Sequence, residues 1–310
     1  MEKEYNAQSH YSIGYFGIFR DTFKTIGKNV QHLGPILVIM FLYDKNIVAP
    51  LDEYLVMQLA KNPYTFFDLS YNSDQPVYPD ALDDILEILS VKLMFLAFSV
   101  IIELVLFIAV VSSSYEAYTA NLLEPKDVLL KIKTSWIKTL VTSFYMFLIT
   151  LGITCLAFIS FSIASFSAAN SWSRLYFGAI TMLILISYLY IAALWNLSMV
   201  VSVLEEGFDG VKAIGRATEL MSGKKLQASV IMVPFAITYF VLVSMDDLIM
   251  MSDLSWSSAL ARSIAFTHVS DSWLKLLLFV MFTVFYHEQK TSHDDKVLKG
   301  LYFPSSASKV

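Results

Sequence analysis

Cysteine occurs once in these 310 residues, at Cys155 inside an apolar run, so no disulfide can close within the chain. A lone thiol among Leu and Phe behaves as a small hydrophobe. Histidine is nearly as scarce. His10, His32, His268, His287 and His293 are scattered, and no two share the i, i+4 spacing of a metal-binding helix face. Cys-x-x-Cys, His-Glu-x-x-His, a phosphate loop and Gly-x-Ser-x-Gly are all missing. Gly14, Gly17 and Gly27 follow no strand pattern, which excludes a dinucleotide fingerprint. No catalytic constellation, cofactor site or metal site can be assembled, so the expectation is a non-enzyme that needs no cofactor. Charge is scarce too. Only 16% of residues are charged, where a soluble domain carries about a quarter. The formal net charge of −5 and the acidic stretch that includes Asp44, Asp52, Glu53, Asp68, Asp74, Asp80 and Glu87 argue against a nucleic-acid binder. That stretch reads as a solvated, non-cytosolic loop, with a cation-binding vestibule as the alternative. The polar segment 1–10 precedes no compact apolar core with a cleavage site, and neither myristoylation nor prenylation is signalled, Glu2 standing where a glycine is needed.

Apolar side chains are plentiful. Hydrophobic residues make up 56% of the chain, and the mean hydropathy is +0.59. A helix needs about 20 apolar residues to cross a hydrocarbon core. Runs at 88–112, 140–166, 175–204 and 226–243 approach or exceed that, and a shorter run at 273–286 has Lys275 placed to snorkel from its end. The run at 34–59 is interrupted by Asp44, Lys45 and Asn46. It is expected to span, with a re-entrant segment as the alternative.

The 22 Lys and Arg residues cluster in alternate connections between these runs. Lys3, Arg20, Lys24 and Lys28 come before the first. Lys126, Lys131, Lys133 and Lys138 lie between the second and third, and Lys212, Arg216, Lys224 and Lys225 between the fourth and fifth. Lys290, Lys296, Lys299 and Lys309 follow the last. The other connections are nearly bare of positive charge. Translocated loops are depleted in Lys and Arg, so the alternation predicts six spans with both termini in the cytosol.

Each basic cluster ahead of an odd-numbered span is also amphipathic. Ile13, Phe16, Phe19, Phe23 and Ile26 recur at helical steps around Arg20, Lys24 and Lys28. Val128, Leu129, Ile132, Trp136 and Ile137 do so beside Lys131 and Lys133, and Val211, Ile214, Ala217, Leu220 and Met221 beside Lys212, Arg216, Lys224 and Lys225. Such helices can lie in the membrane interface with their cations near anionic headgroups, or pack on the bundle with their charges solvated. The first and third open at Gly and close with Gly-Lys (Gly17 to Lys28, Gly210 to Lys225). The second opens at Pro125 and lacks the Gly-Lys ending. This points to a three-fold internal repeat of an interfacial helix followed by a transmembrane hairpin.

Two stretches carry a resemblance. One is Gly17-Ile-Phe-Arg-Asp-Thr-Phe-Lys24. The other is Trp195-Asn-Leu-Ser-Met-Val-Val-Ser-Val-Leu-Glu205 with the Gly-bounded basic helix after it. On these the chain resembles a plant family of six-span integral membrane proteins of uncharacterised function, from about Tyr15 to Tyr286. It is distantly similar to bacterial YciC-type proteins and to the non-catalytic membrane region of some glycerophosphodiester phosphodiesterases. The resemblance implies a membrane location and a topology, and no catalytic residue. The interrupted first span departs from the family pattern.

Few polar residues fall inside the apolar runs. Glu103 sits near the middle of the second, where a charge costs about 2.5–3.5 kcal/mol on the mildest scale. It reads either as a bundle carboxyl hydrogen-bonded to Ser, Thr or Tyr on another span, or as a proton- or cation-handling group. Lys92 is about 16 Å away along the helix, too far to pair. Asn196, beside Trp195, is the second candidate intramembrane polar residue. Asp246 and Asp247 read as a solvated helix end. Glu205 and Glu206 are placed to pair with the cations of the basic helix that follows.

The expected fold is therefore an all-α polytopic membrane protein with six transmembrane helices and three cytosolic-face interfacial helices. Residues 1–33 form a cytosolic segment with the first interfacial helix, 34–286 the six-span domain and 287–310 a cytosolic tail. The expected role is that of a scaffold or lipid-interacting protein, with Arg20, Lys24, Lys28, Lys131, Lys133, Lys212, Arg216, Lys224 and Lys225 as headgroup contacts. Its partners would be membrane lipids and a cytosolic or membrane protein. The rival is a transporter or channel that uses Glu103. Plasma membrane and endoplasmic reticulum are not distinguished.

Overall fold

In a computed structural model, which describes residues 14–48, 78–119, 125–166, 171–250 and 256–302, every regular element is helical and no strand occurs among the described residues. Two short helices, α1 (Tyr15–Lys28) and α2 (Val30–Tyr43), lead into a π-helical turn, Asp44–Val48. The long helices α3 (Tyr78–Thr119), α4 (Pro125–Phe166) and α5 (Ser171–Leu204) follow. A short α6 (Gly210–Leu220) precedes α7 (Lys225–Met250) and the 47-residue α8 (Trp256–Tyr302).

Five stretches in these helices are long and apolar enough to cross a membrane: Leu93–Thr119, Lys126–Ile163, Leu175–Leu204, Lys225–Leu242 and Val269–Asp294. The chain is thus a multi-pass membrane protein. The expected first span, 34–59, is described only as far as position 48. There α2 has 14 residues, about 21 Å of helix, and the remainder lies outside the described residues. At the other end, α8 continues without a break past position 286, where the sequence predicts a tail.

The expected basic helices take different forms. α1 stops at Asn29, whose backbone leaves the helical region before α2 begins. α6 is closed by a turn in which Gly223 adopts φ +84°, a left-handed conformation that costs other residues about 1–2 kcal/mol. The second is no separate helix. From Pro125 the chain runs unbroken into α4, because no glycine occurs there before Gly152 to end it.

Burial is concentrated at one end of the bundle. The main core joins Leu104, Phe107, Ile108 and Val111 of α3 to Leu197, Val200 and Val201 of α5 and to Phe282, Phe285 and Tyr286 of α8. Ile18 of α1 and Ala213, Ala217 and Leu220 of α6 belong to the same cluster, so both short helices cap this end. A smaller cluster of Leu33, Met40, Leu106, Val110, Leu276 and Val280 seats α2 against α3 and α8. At the far end, Phe98, Phe158, Phe161, Met182 and Phe240 lie on the outer surface. Apolar outer surface is what hydrocarbon solvates, whereas in water so large an exposed area would drive association.

Small side chains let the helices close up at the buried end. Asn29 Nδ2 donates to the Ser113 carbonyl at 2.9 Å, pinning the α1–α2 junction to α3. The Gly210 N–H donates to Thr142 Oγ1 at 2.9 Å. Gly210 has φ +49°, and a Cβ there would lie 3.1 Å from the Tyr145 ring and 3.2 Å from Val141. Only glycine satisfies both the backbone angle and the approach of α6 to α4.

Candidate functional site

Among the described residues, two charged clusters and one outward-facing helix surface stand out as candidate sites. The first cluster lies at the α6 end. Glu205, which follows α5 and whose side chain is 10% exposed, is the hub. Its Oε1 accepts the Tyr286 hydroxyl at 2.7 Å and lies 3.7 Å from Lys290 Nζ, and its Oε2 lies 3.4 Å from Arg216 Nε. Lys290 in turn donates to the Tyr286 oxygen at 3.0 Å. Arg216 also meets Glu219 at 3.2 Å on its own helix. Burial opposes the Arg216 charge, but Glu219 and Glu205 outweigh it and raise its pKa above the ordinary value. The hub ties α5, α6 and α8 together, and beside it the Tyr118 ring lies tilted against His287, 4.6 Å between ring centres. Arg216 is thereby committed inside the protein, whereas Lys212 and Lys225 face outward.

The second cluster lies deeper. Lys275 Nζ donates to Glu103 Oε1 on α3 at 2.9 Å and lies 2.7 Å from Asp271 Oδ2, one turn back on α8. Lys275, expected from the sequence to snorkel outward, is the partner of Glu103. Next to them the Ser272 hydroxyl bonds the buried carboxylate of Asp44, and Tyr43 shares a hydrogen bond with Ser99. A cleft lined by Met40, Tyr43, Asp44, Glu103 and Lys275 has a volume of about 10 Å³, room for roughly one water. The π-helical turn accounts for the interrupted run at Asp44, since the wider turn swings that carboxylate inward. Asn196 is not part of this site, because its amide donates to the Ala192 carbonyl of its own helix at 2.9 Å. The side chains of Asp246 and Asp247 lie outside the described residues.

The third feature is the surface of α1. Ile18, Thr22 and Thr25 are buried against the bundle. On the opposite side Phe16 is 92% exposed and Phe23 59%, with Val30 continuing the line into α2. Arg20, Lys24 and Lys28 flank these aromatics, and Arg20 lies 3.5 Å from Asp21 while its side chain stays exposed. Near the start of α4, Leu129, Leu130, Trp136 and Ile137 are likewise exposed, with Lys133 beside them and Lys131 half-buried. Lys224 is half-buried in the turn before α7, where Leu226 is exposed. No group of His, Cys, Asp and Glu able to hold a metal ion occurs among the described residues.

A family model described as "Domain of unknown function (DUF8558)" matches residues 1–303. The chain belongs to this DUF8558 family. No curated protein matches it, and no solved structure does.

Proposed function

We propose that this DUF8558 protein is a non-enzymatic membrane scaffold whose α1, α4 and α6 surfaces engage the anionic headgroups of the cytosolic leaflet. The reading places both termini in the cytosol and takes residues 34–59 as a sixth span, in line with the sorting of Lys and Arg. One observation carries it, the double-sided character of α1. Ile18, Thr22 and Thr25 are buried against the bundle and Phe19 packs beside them, while Phe16 and Phe23 point away from it. Large aromatics on an outer surface, flanked by Arg20, Lys24 and Lys28, match the two needs of an interfacial helix. The rings enter the headgroup boundary, and the cations stay among phosphates. Each basic side chain near an anionic leaflet contributes about 1 kcal/mol, so three give roughly 3 kcal/mol, or about a hundred-fold in local partitioning.

The experiment is an environment-sensitive fluorophore on a Phe16→Cys variant in a Cys155→Ser background, in nanodiscs with and without phosphatidylserine. Emission is expected to shift to the blue in the anionic discs. The shift should shrink when Arg20, Lys24 and Lys28 are all changed to Gln. A probe that reports water in both lipid mixtures overturns the reading. A probe buried only when a soluble cytosolic fraction is added moves the surface to a protein partner.

A further inference from the structure

The start of α4 carries an apolar outer face that lies too far out to rest in lipid. α4 is one unbroken helix of 42 residues, about 63 Å long. A bilayer with its headgroups is about 40–45 Å thick, and spanning helices tilt by about 20° on average. At that tilt α4 still covers about 59 Å along the membrane normal, so about 15 Å of it projects beyond the headgroups. The projecting end is the basic one. Positions 139–166 hold no charged residue, whereas Lys126, Lys131, Lys133 and Lys138 all come before them. A projection of 15 Å is about ten residues, which takes in Leu129 and Leu130 and leaves Trp136 and Ile137 at headgroup level.

That end does not present a purely polar surface. Lys126, Leu130, Lys133 and Ile137 follow at steps of four, three and four and share one stripe of the helix, with Leu129 and Trp136 along its edge. Leu129 is 67% exposed and Leu130 61%, so α3, α5 and α6, which pack on α4, leave them uncovered. Lys126 and Lys133 are exposed on either side of the leucine pair. Asp127 is the one acid at positions 125–138, and against four lysines it leaves this segment a net charge of +3.

An apolar patch with a charged rim marks an interaction surface, and the sign of the rim specifies the partner. We propose that the outer face of 126–133 docks a helix of another protein, one whose apolar stripe is bordered by Asp and Glu. Such a helix lays its apolar residues on Leu129 and Leu130 and brings its carboxylates to Lys126 and Lys133. The same face of a second copy is unsuited, because a two-fold pairing sets lysine against lysine. This goes beyond headgroup binding, which stays with α1, α6 and the level of Trp136 and Ile137 on α4.

The test places the photo-crosslinking residue benzoylphenylalanine at exposed Thr134, one turn from Leu130, in the full chain in its native membranes. The adduct, mapped by mass spectrometry, is expected on an acidic helical segment of another protein. Leu129→Ser with Leu130→Ser should cut its yield about ten-fold, as loss of apolar anchors does. Lys126→Gln with Lys133→Gln should lower the yield and remove its sensitivity to salt. Adducts to lipid alone, to a second copy or to a segment without Asp or Glu overturn the proposal. So do the absence of any adduct and a yield unchanged in both double variants. The height of the face is read separately in nanodiscs, by nitroxides on Leu130→Cys and Phe144→Cys in a Cys155→Ser background. A water-soluble nickel complex should relax the label at 130, and oxygen the label at 144. A label at 130 that is shielded from nickel and relaxed by oxygen lies in lipid, which also overturns the proposal. The Phe16 emission shift in anionic discs should be the same in both double variants, so the two readings fail separately.

Discussion

Glu205 shows how much one carboxylate can organise when it stands where three helices meet. Arg216, Tyr286 and Lys290 all converge on it, and its low exposure keeps water from taking over their roles. Removing one member of such a buried charged group costs roughly 3 kcal/mol. Glu205→Gln should therefore lower the thermal midpoint in detergent markedly. Tyr286→Phe, which deletes one hydrogen bond to a charged oxygen, should cost about 2 kcal/mol. The double variant should lose less than the sum, because both act on one network. Gly210→Ala belongs to the same scale. Its added methyl must push on Tyr145 and Val141 from a left-handed backbone, and a loss of about 2 kcal/mol in the same melting assay is expected. The sequence shows part of this. Glu205 pairing with a cation of the next helix is a local inference, and Arg216 is that cation. Tyr286 and Lys290 come from a helix 81 and 85 residues further on, and nothing in spacing announces them. The same holds for Glu103. Its cost inside a span is readable from position alone, but its partner Lys275 is 172 residues away. Only the i, i+4 pair of Asp271 and Lys275 hints at a cluster there.

Among the helices, α1, α4 and α6 differ in a way the chain itself accounts for. All three basic segments share an amphipathic pattern, yet only the first and third are separate helices. The Gly-Lys ending of those two, and its absence from the second, marks the difference in the sequence. Only in the third does a glycine take positive φ, Gly223; in the first, Gly27 stays helical and α1 ends one residue after Lys28, at Asn29. Gly223→Ala should strain the α6–α7 turn by about 1–2 kcal/mol, seen as a lower midpoint with unchanged helix content by circular dichroism. The two faces of α1 should also separate cleanly. Phe16→Ser with Phe23→Ser should leave the midpoint in detergent within about 0.5 kcal/mol of the parent, as outer-surface changes do. Ile18→Asn, at a position with 0% exposure, should abolish folding in both detergent and lipid. If the Phe double variant proves as damaging as Ile18→Asn, α1 is held by those rings and the headgroup reading loses its support. What periodicity cannot reveal is which apolar residues of a short helix face the bundle. Phe16 and Ile18 both belong to the apolar set, and only the packing of α1 on α3 and α8 separates them.

For the molecule as a whole, the all-helical, multi-pass architecture is legible because long apolar runs with so little charge would aggregate in water and are at ease in hydrocarbon. Inside hydrocarbon such a run must satisfy its own backbone polar groups, which a helix does. Four of the expected spans, 88–112, 140–166, 175–204 and 226–243, overlap stretches apolar and long enough to cross, and 273–286 lies inside a longer one. The helices overrun the apolar runs, α3 at its acidic start and α4 at its basic one, because a helix has no reason to stop where hydrophobicity does. Burial that fades from the α6 end outward makes a prediction for hydrogen exchange. Protection should be greatest around 193–203 and 280–286, and should fall toward the ends of α4 and α5 where they meet. The length of α8 has a practical consequence. Its 47 residues make a rod of about 70 Å, while a bilayer with its headgroups is about 40–45 Å thick. Some 25 Å of stiff shaft must stand clear of the lipid. A globular protein grafted in helical phase onto Tyr302 would be carried at a fixed angle, a ready-made handle for imaging a particle otherwise too small to align.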